Sequence, residues 1–109
     1  MNENILIVHC TCSSEAEAKN ISRKIVDKRL AACCNIIPGI TSIYSWEGKI
    51  EESQESLLLI KTTLKNYEQL EKEIKMIHSY AVPEIIALNA ETGSAAYLDW
   101  IVDYVDKKG

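Results

Sequence analysis

The sequence predicts a single α+β domain in which helices cover one face of a four-stranded antiparallel sheet. Apolar runs rich in β-branched residues alternate with amphipathic helical patterns in the order βαββαβ, and one more helical pattern follows. The chain has 109 residues, 47% of them apolar, which is enough to fill one core of ordinary composition. It contains no repeat, low-complexity tract or linker, so we expect one domain over residues 1–109.

The first strand and the first helix come from the N-terminal third of the chain. Residues 4–10 (NILIVHC) form a continuous apolar run with β-branched members, which is typical of a buried central strand. Ser14 and Glu17 fit a capping box, in which the serine hydroxyl accepts from the backbone of Glu17 and the glutamate reaches back. The helix should end near residues 31–33, and its apolar residues keep helical spacing: Ala18, Ile21, Ile25, Val26 and Leu30.

A β-hairpin is predicted next. Residues 35–37 are compatible with a strand, and residues 41–46 (TSIYSW) are rich in β-branched and aromatic side chains. Glu47-Gly48 is a two-residue link, in which the glycine permits the positive φ of a tight turn. The returning strand changes from polar to apolar at residues 57–60, so only its second half belongs to the core.

This hairpin is too long for its own domain. Strands over residues 39–46 and 49–62 would span roughly 26 Å and 46 Å at about 3.3 Å per residue, whereas a domain of this size is only about 35 Å across. The projecting part carries Tyr44, Trp46 and Ile50, and its backbone edges have no predicted partner in the chain. We therefore expect a homo-oligomer; the alternative is a monomer whose hairpin folds back at a bulge.

The second half of the chain completes the pattern. Thr63 is expected to cap a second helix, and Pro83 blocks the continuation of that helix. Residues 84–88 (EIIAL) form a fourth strand, and a turn at residues 92–94 leads into the last helix. Because both crossovers place their helix on one side of an antiparallel sheet, the order predicts a ferredoxin-like sandwich with an extra C-terminal helix. The apolar residues of these two helices are Tyr67, Leu70, Ile74 and Ile77, then Tyr97, Leu98, Ile101, Val102 and Val105.

Charge and hydropathy argue against two classes of partner. The net charge is −4, and the one basic cluster lies on the first predicted helix as a solvated face, so we expect no nucleic acid. No apolar run reaches about 18 residues, so we expect no membrane span. The N-terminus has an acid where a signal peptide has basic residues, so the protein is expected to be cytoplasmic. The basic cluster is Arg23, Lys24, Lys28 and Arg29.

Four cysteines invite a zinc or disulfide interpretation that their spacing does not favour. Cys10 and Cys12 are spaced C-x-C, and Cys33 and Cys34 are adjacent, whereas structural zinc sites typically use C-x₂-C pairs. In a reducing compartment we expect free, partly buried thiols.

Seven blocks, in order along nearly the whole chain, resemble the signature of the divalent-cation tolerance (CutA) family. They are residues 31–33 (AAC), 35–39 (NIIPG), 41–44 (TSIY), 46–51 (WEGKIE), 60–62 (IKT), 78–85 (HSYAVPEI) and 97–100 (YLDW). The resemblance implies a PII-like ferredoxin fold and a homotrimer assembled by strand pairing between subunits. It also implies a role in tolerance to divalent metals, with copper binding proposed, and attaches no catalytic reaction.

A metal site is the first functional hypothesis. Cys10 ends the first predicted strand, His78 ends the second helix and Glu84 opens the fourth strand; a thiolate and an imidazole suit copper or another divalent metal, and a carboxylate could complete the shell. The alternative is that Cys10 is a small buried apolar residue and His78 a helix C-cap. The chain departs from the family's His-Pro-Tyr-Glu segment, because Ser79 stands for the proline and Ala81 for the glutamate. It also has Ile77 where some members place a metal-binding histidine.

A ligand cleft between subunits is the second hypothesis. Trp46, Lys61, Tyr80 and Glu84 match positions that the family keeps near its inter-subunit pocket. The lysine could pair with a small anion and an aromatic ring could stack on it. The alternative is that Lys61 and Glu84 pair with each other at a strand edge.

An enzyme is the least favoured class. The sequence has no G-x-S-x-G elbow, P-loop, G-x-G-x-x-G or H-E-x-x-H motif. Cys10 with His78 or His9 could form a nucleophile and base, but such pairs are too common to predict catalysis. We therefore expect a non-enzymatic homotrimer that binds divalent metal or a small anion, with a structural trimer that docks a partner protein as the alternative.

Overall fold

A computed structural model describes residues 4–106 and confirms the predicted α+β architecture. The elements are β1 (Ile5–Cys12), α1 (Glu15–Asp27), β2 (Cys33–Trp46), β3 (Lys49–Thr63), α2 (Leu64–Ile77), β4 (Ile85–Asn89) and α3 (Ala95–Asp106). The strands are antiparallel in the order β2-β3-β1-β4, which is the ferredoxin-like arrangement. Residues 1–3 and 107–109, which the predictions on the N-terminus and the domain include, lie outside the described residues.

The predicted end of the first helix was wrong. Helix α1 ends at Asp27 rather than near residues 31–33, because Arg29 adopts a left-handed backbone with φ of 58°. The chain then turns, and the amide of Leu30 donates to the carbonyl of Ile25 at 2.9 Å. Leu30 is nevertheless buried in the core, so its apolar spacing resembled a helix although a loop carries it.

The hairpin is longer and more continuous than predicted. Strand β2 passes through Pro38 and Gly39 at a bulge between Ile37 and Ile40, which absorbs the proline without interrupting the strand. Both residues of the Glu47-Gly48 turn have positive φ, 49° and 80°, as a type I′ turn requires.

The hairpin projects from the sheet, as its length predicts. Strand β1 pairs with β3 only from Ser56 onward, so residues 40–46 and 49–55 form a two-stranded arm. The molecule measures 46 × 26 × 21 Å, and we attribute its long axis to this arm. Within the described residues, neither outer edge of the arm is paired.

Helices α1 and α2 cover one face of the sheet. Strand residues of that face, among them Val8, Cys10, Leu58 and Ile60, pack against Ile21, Ile25, Leu70 and Ile74 in one core. The alternate strand residues point to the other face, where Ile86 and Leu88 are half exposed. Helix α3 packs through Ile101 and Val105 against Ile5 and Ala32.

The second half of the fold differs from prediction only at the ends of its elements. Thr63 is the N-cap of α2, but its side chain makes no capping bond and donates instead to Asp106 Oδ1 at 3.0 Å. Strand β4 begins at Ile85 rather than Glu84. Over the described residues, no helix is long and apolar enough to cross a membrane.

Candidate metal centre

Two thiols and an imidazole meet beneath α1 and α2. Cys10 and Cys12 are two residues apart on β1, so the period of the strand places both thiols on the same face. His78 follows α2 directly, and its ligand nitrogen and the two sulfur atoms all lie within 4.8 Å of one another. The two cysteines and the imidazole are fully buried.

The sequence predicted two members of this cluster and missed the third. Cys10 and His78 meet as the metal hypothesis requires. Cys12 was overlooked because the first strand was predicted to end at Cys10, whereas β1 continues to Cys12. The C-x-C spacing was the available signal, because in a strand it puts two thiols side by side.

Hydrogen bonds hold the imidazole of His78 in one tautomer. The amide of Tyr80 donates to Nδ1 at 3.0 Å, so the ring proton is on Nε2, which donates to the carbonyl of Thr11 at 2.8 Å. Thr11 lies one residue beyond the last pair of the β1–β4 ladder, Cys10 and Ile85. His78 is also the C-cap of α2, so the capping role that the sequence left open is present as well.

A carboxylate anion lies beside the imidazole. Glu17 Oε1 accepts from the amide of Ser13 at 2.9 Å, and Oε2 accepts from the amide of Ser79 at 2.7 Å. Partial burial raises the pKa of Glu17, but these bonds outweigh it and lower the pKa to about 2. Glu17 Oε2 is 3.7 Å from His78 Nδ1. The predicted capping box is therefore half formed: Ser14 accepts from the amide of Glu17, but the glutamate reaches Ser13 and Ser79 rather than Ser14.

The thiol of Cys10 is held protonated by its surroundings. A hydrogen bond with Cys12, burial, the charge on a Cys12 thiolate, and the charges of Glu17 and Glu84 raise the pKa of Cys10 far above its usual range. A metal ion would therefore have to displace a proton to bind here.

Glu84 is not gathered with the thiols. Its carboxylate accepts from Thr11 Oγ1 at 3.5 Å and is not part of the Cys10, Cys12 and His78 group. The side chain of Thr11 points to the opposite face of the sheet from its two cysteine neighbours. Glu84 as a metal ligand remains a prediction that this geometry does not favour.

The four residues of the predicted ligand cleft lie apart within one chain. Lys61 pairs in register with Ile7, and Glu84 contacts Thr11, which is four residues and about 13 Å further along β1. Trp46 lies beside the turn at the far end of the arm. The cleft therefore needs a second chain and stays a prediction.

Two residues of the predicted cleft, Lys61 and Tyr80, form hydrogen bonds with other residues of the same chain. Lys61 Nζ donates to Asn35 Oδ1, and the Lys61–Glu84 ion pair does not form within residues 4–106. Tyr80 Oη donates to Glu55 Oε2 at 2.7 Å. Burial and this bond raise the pKa of Tyr80 above its usual value.

Comparisons with known proteins agree on one family. A family model described as CutA1 divalent ion tolerance protein matches residues 6–104. The chain is 48% identical over 101 residues to the divalent-cation tolerance protein CutA of Thermus thermophilus, and the alignment covers 93% of this chain and 95% of that protein. It is 50% identical over 91 residues to protein CutA of Mus musculus, but spans only 51% of that relative's length. The crystal structure of CutA1 from Oryza sativa matches with a TM-score of 0.93 at 37% identity, covering 96% of each chain.

Proposed function

The chain belongs to the CutA1 divalent ion tolerance family, and we propose that it is a homotrimer that contributes to metal tolerance by binding copper. The observation that carries this proposal is the buried cluster of Cys10, Cys12 and His78, whose ligand atoms lie within 4.8 Å of one another. We assign no enzymatic reaction to the chain and expect it to act in the cytoplasm.

The donor set of this cluster fits copper. Thiolates and imidazole are soft to borderline ligands, which suit copper and zinc and not magnesium or calcium. The carbonyl of Thr11 holds the Nε2 proton of His78, which is the outer bond that metal-bound histidines typically make. Nδ1 is then the nitrogen that could bind a metal, in exchange for its bond from the Tyr80 amide.

A titration under reducing conditions tests the metal site. We expect stoichiometric copper binding by the wild type, loss of that binding in Cys10→Ala and in His78→Ala, and unchanged binding in Cys33→Ala. Cys33 is a matched control because its thiol is on a different strand and the opposite face of the sheet. Binding that survives both substitutions would contradict the ligand assignment, and absence of binding would favour a partner-docking trimer.

The projecting arm supports assembly with further copies of the chain. Ile43, Trp46 and Ile50 are 67%, 59% and 77% exposed there, and within the described residues both edges of the arm lack a backbone partner. A second copy can satisfy these edges by strand pairing, while the half-exposed apolar face of the sheet adds buried area. The trimeric number rests on the family resemblance.

Light scattering on a size-exclusion column tests the assembly. We expect three times the 12.3 kDa mass of the chain at micromolar concentration. Replacing Ile50 with Asp places a charge in the proposed interface and should lower the mass. A wild-type mass near that of a single chain would refute the trimer.

A further inference from the structure

A lysine amine lies against a thiol on the face of the sheet opposite the metal cluster. Cys33 of β2 and Lys61 of β3 are directly paired in register, so their side chains lie side by side on the same face. Lys61 Nζ donates to Cys33 Sγ at 3.9 Å. Both residues are half-buried, so a small solute can reach the sulfur and the amine from solvent.

Further hydrogen bonds hold this contact at both ends of the lysine. The amide of Ala32, one residue before Cys33, donates to the backbone carbonyl of Lys61 at 2.9 Å. At the tip of the side chain, Nζ also donates to Oδ1 of Asn35, which lies two residues after Cys33 on the same face of β2. The sulfur and the nitrogen are thus kept close to the separation of about 3–3.5 Å at which positioned groups react.

The neighbouring cysteine has different surroundings. Cys34 follows Cys33 in the strand, so its thiol points to the other face of the sheet, where it packs against the core. Burial raises the pKa of the Cys34 thiol to about 11. Because the thiolate is the form that reacts with oxidants, Cys34 is expected to be inert and provides a matched control for Cys33.

From the contact between Cys33 and Lys61 we infer that the pair is a site of oxidative modification, at which hydrogen peroxide joins the thiol to the amine in a reversible sulfenamide crosslink. The inference goes beyond the proposed function, because it involves neither the metal cluster nor a bound ion.

The crosslink forms in two balanced steps. The sulfur of Cys33 gives two electrons to the peroxide: the O–O bond breaks, an S–O bond forms to give a sulfenic acid, and one water is released. The neutral amine of Lys61 then attacks Sγ, so that an S–N bond forms and the S–O bond breaks. The oxygen leaves as a second water, with one proton taken from the nitrogen. A small thiol reverses the reaction by reducing the S–N bond, and is itself oxidised to a disulfide.

The crosslink would change two features of the molecule. It joins β2 to β3 covalently and closes a loop that contains the whole projecting arm. It also removes the positive charge of Lys61, because a sulfenamide nitrogen is not a cation at neutral pH. A small anion in the predicted ligand cleft would then lose the lysine as its partner.

Peptide mapping of the whole protein tests the inference. Metal-free wild type is treated with a fewfold excess of hydrogen peroxide, alkylated, digested with trypsin and analysed by mass spectrometry. We expect residues 30–49 joined to residues 50–65, with cleavage after Lys61 blocked and a mass about 2 Da below the sum of the two peptides. Dithiothreitol should separate them. The crosslink should be absent from Cys33→Ser and from Lys61→Arg, which keeps the positive charge but lacks the amine, and should persist in Cys34→Ser.

The opposite results are equally definite. Oxidation of Cys33 to a sulfinic acid without the crosslink would overturn the inference, and so would a Cys33 thiol that peroxide leaves unchanged. A crosslinked peptide that persists in Lys61→Arg, or that is lost in Cys34→Ser, would place the bond elsewhere and overturn the inference as well. Circular dichroism of each variant, with Lys61→Gln as a second substitution at the same position, excludes unfolding as the cause. Because metal is absent throughout, these outcomes are independent of copper binding.

Discussion

Replacing Glu17 with Gln should lower the free energy of unfolding at pH 7 by about 2 kcal/mol. The carboxylate accepts from the amides of Ser13 and Ser79 with separate oxygens, and from the Ser13 hydroxyl at 2.8 Å. A glutamine presents an NH₂ group in place of one oxygen, and that group faces a backbone N–H, so at least one of these bonds is lost. The segment that carries His78 would lose its tie to α1.

The magnitude follows from the pKa of Glu17. A fall from 4.5 to about 2 corresponds to an upper limit of about 3 kcal/mol, at about 1.4 kcal/mol for each tenfold change in proton affinity. The side chain is 12% exposed, so solvent screens part of this energy and about 2 kcal/mol remains.

The dependence on pH has a definite sign. Because the pKa of Glu17 is lower in the folded protein than in the unfolded chain, its stabilisation is fully present above pH 4.5 and is lost as the pH falls towards 2. The difference between the wild type and Glu17→Gln should therefore be constant from pH 7 to about pH 5 and should shrink below that.

Urea unfolding at pH 7, 4 and 2.5, at one chain concentration, measures this difference. Glu15→Gln is the matched control, because Glu15 lies in the same helical turn and its one ion pair among residues 4–106 is an exposed contact with Lys19 at 3.5 Å. It should cost less than about 0.5 kcal/mol. Equal costs for the two variants at pH 7, or a Glu17→Gln cost that does not shrink on acidification, would refute the reasoning.

Three further substitutions test the fold. Gly48→Ala should lower the free energy of unfolding, measured by heat or urea, by about 1 kcal/mol. The φ of Gly48 is +80° and nothing lies within 4 Å of the added Cβ, so the loss comes from the strained backbone alone. An unchanged free energy of unfolding would contradict the type I′ turn. Asp106→Ala should lower the free energy of unfolding in urea by about 2 kcal/mol, because Asp106 Oδ1 accepts from Thr63 and Asn66 at the start of α2. No change in this free energy would show that the two bonds make no net contribution to stability. Ile60→Ala should lower the free energy of unfolding by about 2–5 kcal/mol, because the side chain is fully buried between the sheet and the helices. A loss below about 1 kcal/mol would mean that neighbouring side chains move to fill the cavity.

The order of elements and the projecting arm could be predicted because they depend on local periodicity and chain length. The spacing of apolar residues distinguishes strands from helices without knowledge of what they pack against. The rise per residue of a strand is nearly fixed, so the number of residues determines how far the arm projects. The end of α1 could not be predicted in this way. Leu30 keeps helical spacing from Ile25 and Val26 and reaches the core from a turn, so its burial hides the left-handed conformation of Arg29.

The candidate site was predictable only in part, since its assembly depends on contacts distant in sequence. Cys10 and His78 could be proposed from their chemistry. The role of Glu17 could not, because it depends on the amide of Ser79, which is 62 residues away. Cys12 could be proposed only if the end of β1 was known, and β1 ends two residues beyond the predicted end, which is one full period of a strand.

X-ray absorption at the copper edge tests the central claim most directly, because it identifies the atoms bound to the metal. Protein loaded with one equivalent of copper under reducing conditions should show sulfur together with nitrogen in the first coordination shell. The sulfur signal should disappear when both Cys10 and Cys12 are replaced with Ala and should persist when Cys33 and Cys34 are replaced. A first shell of nitrogen and oxygen alone in the wild type would contradict the account.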